Sequence, residues 1–427
     1  MPSISLAFGA AVAAAAVLVL TGCGGHLMPT PNIYAGAGYE LYRDLDPALR
    51  TGDVDILYVT DRAQIEPKDG RLRYGHGRSR SMVFGSCVVE IGRDVSWATL
   101  LRESTSAKRS ENLTLRVESI TELERFPQTP LPLIEQNGQL VQNPQVVAQV
   151  DDAAMRFREE IRRRLAHTPD KQVLVYVHGF HNSFDYAASV MAEFWHFGGR
   201  TGVPILYSWP AGAPGLLRGY THDGESGTFT IPHLKHLLRL VASIPEVDRL
   251  HLVAHSRGTD VLTSALRELL IEELAAHRDP RQTLRIDNLV LASPDIDLDV
   301  FFQRFFGEQF FRVARHLTVY VSPKDKAIGL SQWLNSDRRV GELQPGDFTE
   351  DEAMLLEHID TYDIVDVTVP TGALGHSYYH SNPAVSSDLI LLLRYGARAG
   401  SEQRPLKRSI ARYWLLDDES YPFAKAR

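Results

Sequence analysis

From Asp151 onward the chain alternates two patterns, and this alternation narrows its fold more than any other feature. Asp151 to Ala166 carries Ala, Met, Phe, Ile and Leu at helical spacing with charges between them, the mark of an amphipathic helix. Val173 to Val177 is an unbroken apolar run, Phe184 to Phe197 reads as a helix, Pro204 to Trp209 as a strand and Pro232 to Ala242 as a helix. A strand at Leu250 to Ala254 and a helix through Leu262, Leu266, Leu269 and Leu270 follow, then strands at Leu289 to Ala292, Leu317 to Val321 and Tyr362 to Val369, and a last helix at Pro383 to Tyr395. Short runs of Val, Ile and Leu without polar alternation are strands covered on both faces. The pattern predicts an α/β protein with a mainly parallel central sheet between two helical layers, in which function collects at the carboxyl ends of the strands.

The chain before Asp151 is of another kind. Ile4 to Leu20 is almost wholly apolar and runs into Leu20-Thr21-Gly22-Cys23, as a secretory signal does. That ending resembles a bacterial lipobox, which implies cleavage after residue 22, lipidation of Cys23 and an acyl anchor in the cell envelope. The run is marginal for a membrane span and is broken by Gly22, Gly24 and Gly25. Gly24 carries no acidic retention cue, so the expected address is the outer membrane, facing the periplasm. Residues 23–52 are rich in Gly and Pro without a sustained period and read as a tether. Asp53 to Thr60, Met82 to Ile91 and Leu113 to Ile120 read as strands of a β-rich, antiparallel lead-in over 53–150. Phe126 to Pro144, with four prolines, reads as a loop. The catalytic core is expected over 151–398 and a C-terminal tail over 399–427. Apart from Cys23 the only thiol is Cys87, in an apolar run where packing is its expected role. A net charge of -8 leaves no basic excess for a nucleic-acid partner.

The chemistry gathers at four of the strand ends. Arg249 to Gly258 leads an apolar run into Ser256, with Ala254 and Gly258 two positions on either side and a helical pattern beyond. Strand, sharp turn and helix with small flanking residues is the setting that exposes a nucleophilic serine. Val173 to Val177 ends in His178-Gly179-Phe180, Leu317 to Val321 in Ser322-Pro323-Lys324-Asp325, and the last strand is followed by Gly375-His376. A serine hydroxyl needs an imidazole to take its proton, and the imidazole needs a carboxylate to fix its tautomer. Ser256, Asp325 and His376 supply these in that order, with the backbone N–H groups of Phe180 and Arg257 as oxyanion donors. Asp295, in Ser293-Pro294-Asp295, stands as the alternative acid.

These stretches resemble the α/β-hydrolase superfamily, and more narrowly a poorly characterised bacterial branch of it. The resemblance rests on Tyr58-Val59-Thr60-Asp61-Arg62, Val177 to Phe184, Ser208-Trp209-Pro210, Ala254-His255-Ser256-Arg257-Gly258 and Gly375 to Tyr379, and extends from Val54 to Arg394. It implies the α/β-hydrolase fold over 53–398 and hydrolysis through an acyl-enzyme, without naming a substrate. The branch usually has Met where Arg257 stands, and a tyrosine-rich run where Thr221-His222-Asp223 stands. A carboxylic ester, a small molecule or a lipid, ranks first as substrate. An amidase or peptidase with the same triad and a non-catalytic binding module are the rivals. No cofactor is implied, and no metal: His178, His181, His376 and His380 lack the carboxylate at helical spacing that a zinc protease uses. Phe301 to Phe311 repeats phenylalanine at helical spacing, a core face in the first reading and a lid over an acyl pocket in the second. Gly212 to Ile231 reads as a long connection forming another pocket wall, and Asp363 and Asp366 as the charges of an edge strand.

Overall fold

The computed structural model describes residues 25–36, 38–43, 45–66, 70–328, 337–369 and 375–425. The apolar leader and Cys23 lie outside the described residues. The strands are β1 (Asp53–Ile65), β2 (Arg73–Ile91), β3 (Leu115–Arg125), β4 (Leu133–Gln136), β5 (Gln139–Gln142), β6 (Gln172–Val177), β7 (Val203–Ser208), β8 (Arg249–His255), β9 (Ile286–Ala292), β10 (His316–Val321), β11 (Tyr362–Val367), β12 (Lys407–Arg408) and β13 (Tyr413–Leu416). All but β4 and β5 join one sheet in the order β12-β13-β11-β10-β9-β8-β6-β7-β1-β2-β3. From β13 across to β1 every neighbour is parallel, and the antiparallel pairs stand at the two margins. Every residue of β7, β10 and β11 is buried, so none of the three shows a solvent-facing alternation, and even Asp363 and Asp366 of β11 lie inside.

Five helices matter most: α1 (Pro144–Leu165), α2 (Phe184–Phe197), α3 (Leu216–Ala242), α4 (Arg257–Ala275) and α5 (Pro383–Leu393). On one face of the sheet α1, α3 and α4 bury Phe157, Leu237 and Leu266, together with Phe301, Phe305 and Phe310. The phenylalanine repeat is therefore part of the core, carried by a short helix (Leu298–Phe302) that runs into a π-turn. On the other face α2 and α5 bury Trp195 and Leu391.

The structure departs from the sequence reading in four places. Residues 25–52 do not lead away as a tether: Leu27, Ile33 and Leu41 are buried on the α2 and α5 face. Leu27 N–H donates to Leu113 O at 2.7 Å and Met28 N–H to Glu193 Oε1 at 2.6 Å. The expected tail supplies β13, which pairs parallel with β11 and buries Leu416. β11 is consequently interior, and its aspartates are internal acceptors instead of edge guards. Gly212 to Ile231 is mostly helix, since α3 starts at Leu216 and carries Pro232 inside it. Proline and glycine in a helix interior are unfavourable by propensity, so tertiary contacts hold this half of α3. The Asp223 carboxylate accepts from the N–H groups of His181 and Gly212 at 2.9 and 3.1 Å. Within the expected loop, β4 and β5 form an exposed hairpin.

Candidate active site

Ser256 lies between the end of β8 and the start of α4 with φ 51° and ψ −128°. A non-glycine residue held there stores about 1–3 kcal/mol of strain, so its neighbours must fix it. Its N–H donates to Ala292 O at 3.0 Å, and its carbonyl accepts from the Thr259 hydroxyl at 2.6 Å and the Asp295 N–H at 3.4 Å. The turn is also tight. A Cβ on Gly258 would lie 2.2 Å from His178 O, and one on Gly179 would lie 3.0 Å from Ser256 Cβ. Gly258 therefore needs glycine because its backbone passes against that of residues 177 and 178, which is the requirement that a small flanking residue signals in the sequence, and at Gly179 the His255 and Ser256 side chains leave little room.

His376 and Asp325 come together from the loops that follow β11 and β10. His376 Nδ1 donates to Asp325 Oδ2 at 2.8 Å, while Asp325 Oδ1 accepts from the N–H groups of Ala327 and Ile328 at 3.0 and 3.2 Å. A carboxylate only accepts, so the proton sits on Nδ1 and Nε2 is left to take another. Burial by itself would lower the imidazole pKa; the charge of Asp325 and its hydrogen bond outweigh burial, and the pKa is raised above the ordinary 6.5. His255 links this pair to the serine. Its ring lies 4.6 Å from that of His376 and stacks 4.3 Å from that of Tyr379, and its Nε2 contacts His376 O at 3.2 Å.

The loop carrying Phe180 is braced by a buried arginine. Arg62 donates to Asn182 O and Ala211 O at 2.8 Å, to Ser208 Oγ at 2.8 Å and to His178 Nε2 at 3.1 Å. Since Arg62 can only donate and Gly179 O can only accept, His178 is neutral with its proton on Nδ1, and burial with the Arg62 charge holds its pKa well below 6.5. Phe180 follows this brace, and Arg257 is the first residue of α4, whose opening N–H groups have no intrahelical acceptor. Among the described residues neither N–H has a backbone acceptor.

The carboxylate of Asp295, the alternative acid, faces Arg257 at 4.0 Å and Arg339 at 3.6 Å, and its charge adds to that of Asp325 in raising the His376 pKa. His380 faces Glu193 at 3.5 Å, and the His181 ring contacts Phe180. Among the described residues no three His, Cys, Asp or Glu side chains group as metal ligands. In the sequence Arg62 stands in Tyr58-Val59-Thr60-Asp61-Arg62 with no role of its own, and nothing local marks Tyr220 or Arg339. Arg62 has no local signal, because its acceptors come from β2 and from the segments at the ends of β6 and β7, all distant in sequence. Asp337-Arg338-Arg339 looks like an ordinary charged surface run.

A family model described as an alpha/beta hydrolase of unknown function (DUF900) matches residues 153–394, more than half of the chain and a span that contains Ser256, Asp325 and His376. Among solved structures, an esterase of Pyrococcus furiosus is similar at 15% identity over 52% of this chain and 83% of its own, with a TM-score of 0.28. No curated protein matches.

Proposed function

Because the chain belongs to the alpha/beta hydrolase family of unknown function matched over residues 153–394, we propose that it is a serine hydrolase acting on carboxylic esters. In this reading the Ser256 hydroxyl attacks the ester carbonyl while His376 Nε2 takes its proton. Asp325 holds the Nδ1–H tautomer and stabilises the imidazolium as it forms. The N–H groups of Phe180 and Arg257 receive the oxyanion, each worth about 3 kcal/mol in the transition state. His376 then protonates the departing alkoxide, and a water activated by the same imidazole releases the acid and restores Ser256. The observation that carries the reading is the His376–Asp325 hydrogen bond packed against His255, the residue that precedes a serine held at φ 51°.

Turnover of an ester and of the amide of the same acid tests it. The expected result is ester turnover that depends on Ser256 and exceeds amide turnover. Amide turnover at least as fast makes the protein an amidase with the same machinery, and no Ser256-dependent turnover of either sinks the proposal. The reading places the enzyme in the cell envelope on an acyl anchor at Cys23, supported by Leu20-Thr21-Gly22-Cys23. Replacing Cys23 by Ala should move the protein from the membrane fraction to the soluble one; unchanged partition would remove the anchor.

A further inference from the structure

The turn that carries His376 is held by its backbone as well as by its side chain. Among the described residues two side-chain donors meet its carbonyl, His255 Nε2–H at 3.2 Å and the Ser293 hydroxyl at 3.4 Å. A carbonyl only accepts, so the proton of His255 sits on Nε2. His255 Nδ1 is buried without a hydrogen-bond partner, which fits a ring carrying one proton. Burial first, then the charge of His376, keeps the His255 pKa well below 6.5. His255 therefore stays neutral beside the imidazolium that forms on His376.

Both donors stand at strand ends. His255 is the last residue of β8 and Ser293 follows β9, while on the neighbouring β10 Tyr320 O accepts from the Tyr378 hydroxyl at 3.0 Å. Three adjacent strands thus grip residues 376–378. His255 is the most firmly placed of the three. Its ring stacks on Tyr379 at 4.3 Å with 29° between the planes, and the Tyr379 hydroxyl meets that of Tyr176, on β6, at 2.8 Å. On its other side a Cβ on Gly179 would lie 3.0 Å from its Nδ1. His255 also directly precedes Ser256, so the residue that grips the base is joined to the nucleophile by one peptide bond.

We infer that His255 is a positioning residue: by donating from Nε2 to the His376 carbonyl it sets the His376 imidazole relative to Ser256 and Asp325. The inference rests on the serine-hydrolase reading. His255 transfers no proton in it; its ring keeps the Nε2 proton throughout the cycle while His376 gains and loses one. The leverage is geometric, because a misplacement of about 1 Å in a catalytic group costs about 100-fold in rate.

The test follows p-nitrophenyl butyrate turnover by the full chain, together with the low-field proton resonance of His376 Nδ1–H, which reports the bond to Asp325 without any chemistry. His255→Phe keeps a ring against Tyr379 and removes the donor, whereas His255→Gln keeps an N–H donor and removes the ring. His255→Phe should lower kcat by about 10- to 100-fold with KM within about twofold of the parent. It should also broaden the resonance and move the acid limb of kcat/KM to lower pH, since a loosened His376 is held less well by Asp325. His255→Gln should restore most of kcat, the limb and the resonance. A packing role alone gives the reverse order, with Phe tolerated and Gln not, and that order overturns the inference, as does a His255→Phe protein with parental kcat and acid limb. Should His255→Phe fail to fold, His255→Gln is compared with the near-isosteric His255→Met, which lacks the donor; equal kcat in these two overturns it as well. Absence of ester turnover in the parent removes the hydrolase reading instead, and the resonance in the same variants still shows whether His255 holds His376 against Asp325.

Discussion

β10 and β11 carry a histidine–aspartate pair at each end, and the two pairs have different fates. At the amino ends His316 Nε2 bonds Asp363 Oδ2 at 2.7 Å; beyond the carboxyl ends His376 Nδ1 bonds Asp325 Oδ2 at 2.8 Å. The distances barely differ, so the surroundings decide. Asp363 also accepts from Arg412 Nη2 and Trp414 Nε1, at 2.8 and 2.7 Å, and the His316 side chain is only 3% exposed. There burial prevails over the carboxylate and lowers the imidazole pKa. At His376 the charge and hydrogen bond of Asp325, with the charge of Asp295 added, prevail over burial, whereas Arg398 and Arg404 add to the effect of burial at His316. A buried His–Asp pair is thus no mark of a site in itself. One end of the sheet is closed by packing and satisfied donors; the other gathers the pair, a strained serine and the N–H groups of Phe180 and Arg257, which have no backbone acceptor among the described residues.

The largest effects should separate the two ends outright. Ser256→Ala is expected to lower kcat by about 10⁶ with thermal unfolding little changed, and Asp325→Asn to lower it by about 10⁴. Asp363→Asn should do the reverse, lowering stability by about 3–5 kcal/mol in urea unfolding while the folded protein still turns over ester. A variant at Asp363 that loses turnover without losing stability would erase the distinction. Gly258→Ala should cost about 1–3 kcal/mol, because its methyl group meets His178 O, and should slow turnover by displacing the loop that holds Phe180. A kinetic and unfolding profile matching the parent would show that the close approach is not needed.

The smallest effect is the pH response, and it has opposite sense at the two ends. Catalysis needs neutral His376, so kcat/KM should fall on acidification with an apparent pKa above 6.5. In Asp325→Asn burial is opposed only by the charge of Asp295, and the limb should move to lower pH. His316 has a depressed pKa in the folded state, so below about 6.5 the unfolded chain binds the proton first and stability falls. Melting curves across pH 5 to 8 for the parent and for His316→Gln test this, the substitution being expected to flatten the dependence.

The elements that could be read from sequence are those whose signal is local. α2 has the bounds Phe184–Phe197 expected of it, with Ser183 capping its first turn by accepting from the Tyr186 N–H. The interior strands show as unbroken apolar runs, and Ser256 shows because its turn excludes large neighbours. What escaped depends on partners distant in sequence. The first half of α3 contains Gly219, Gly224 and Gly227 and is held by contacts to residues 181 and 212. Residues 25–52 have no period, since a chain that packs without regular structure buries Ile33 and Leu41 at irregular intervals. Asp363 looked like an edge charge because its donors arrive from Arg412 and Trp414, in a segment read as a tail. The choice between Asp295 and Asp325 was open for a similar reason: both follow strand ends, and only the fold shows one facing two arginines and the other bonded to His376.

Reaction of the full chain with a fluorophosphonate, followed by peptide mass spectrometry, tests most directly whether Ser256 is an activated nucleophile. The expected result is one phosphonylated peptide, containing Ser256, that disappears in Ser256→Ala, falls sharply in His376→Ala and persists in Asp363→Asn. A folded parent that stays unlabelled, or labelling that survives Ser256→Ala, would contradict it.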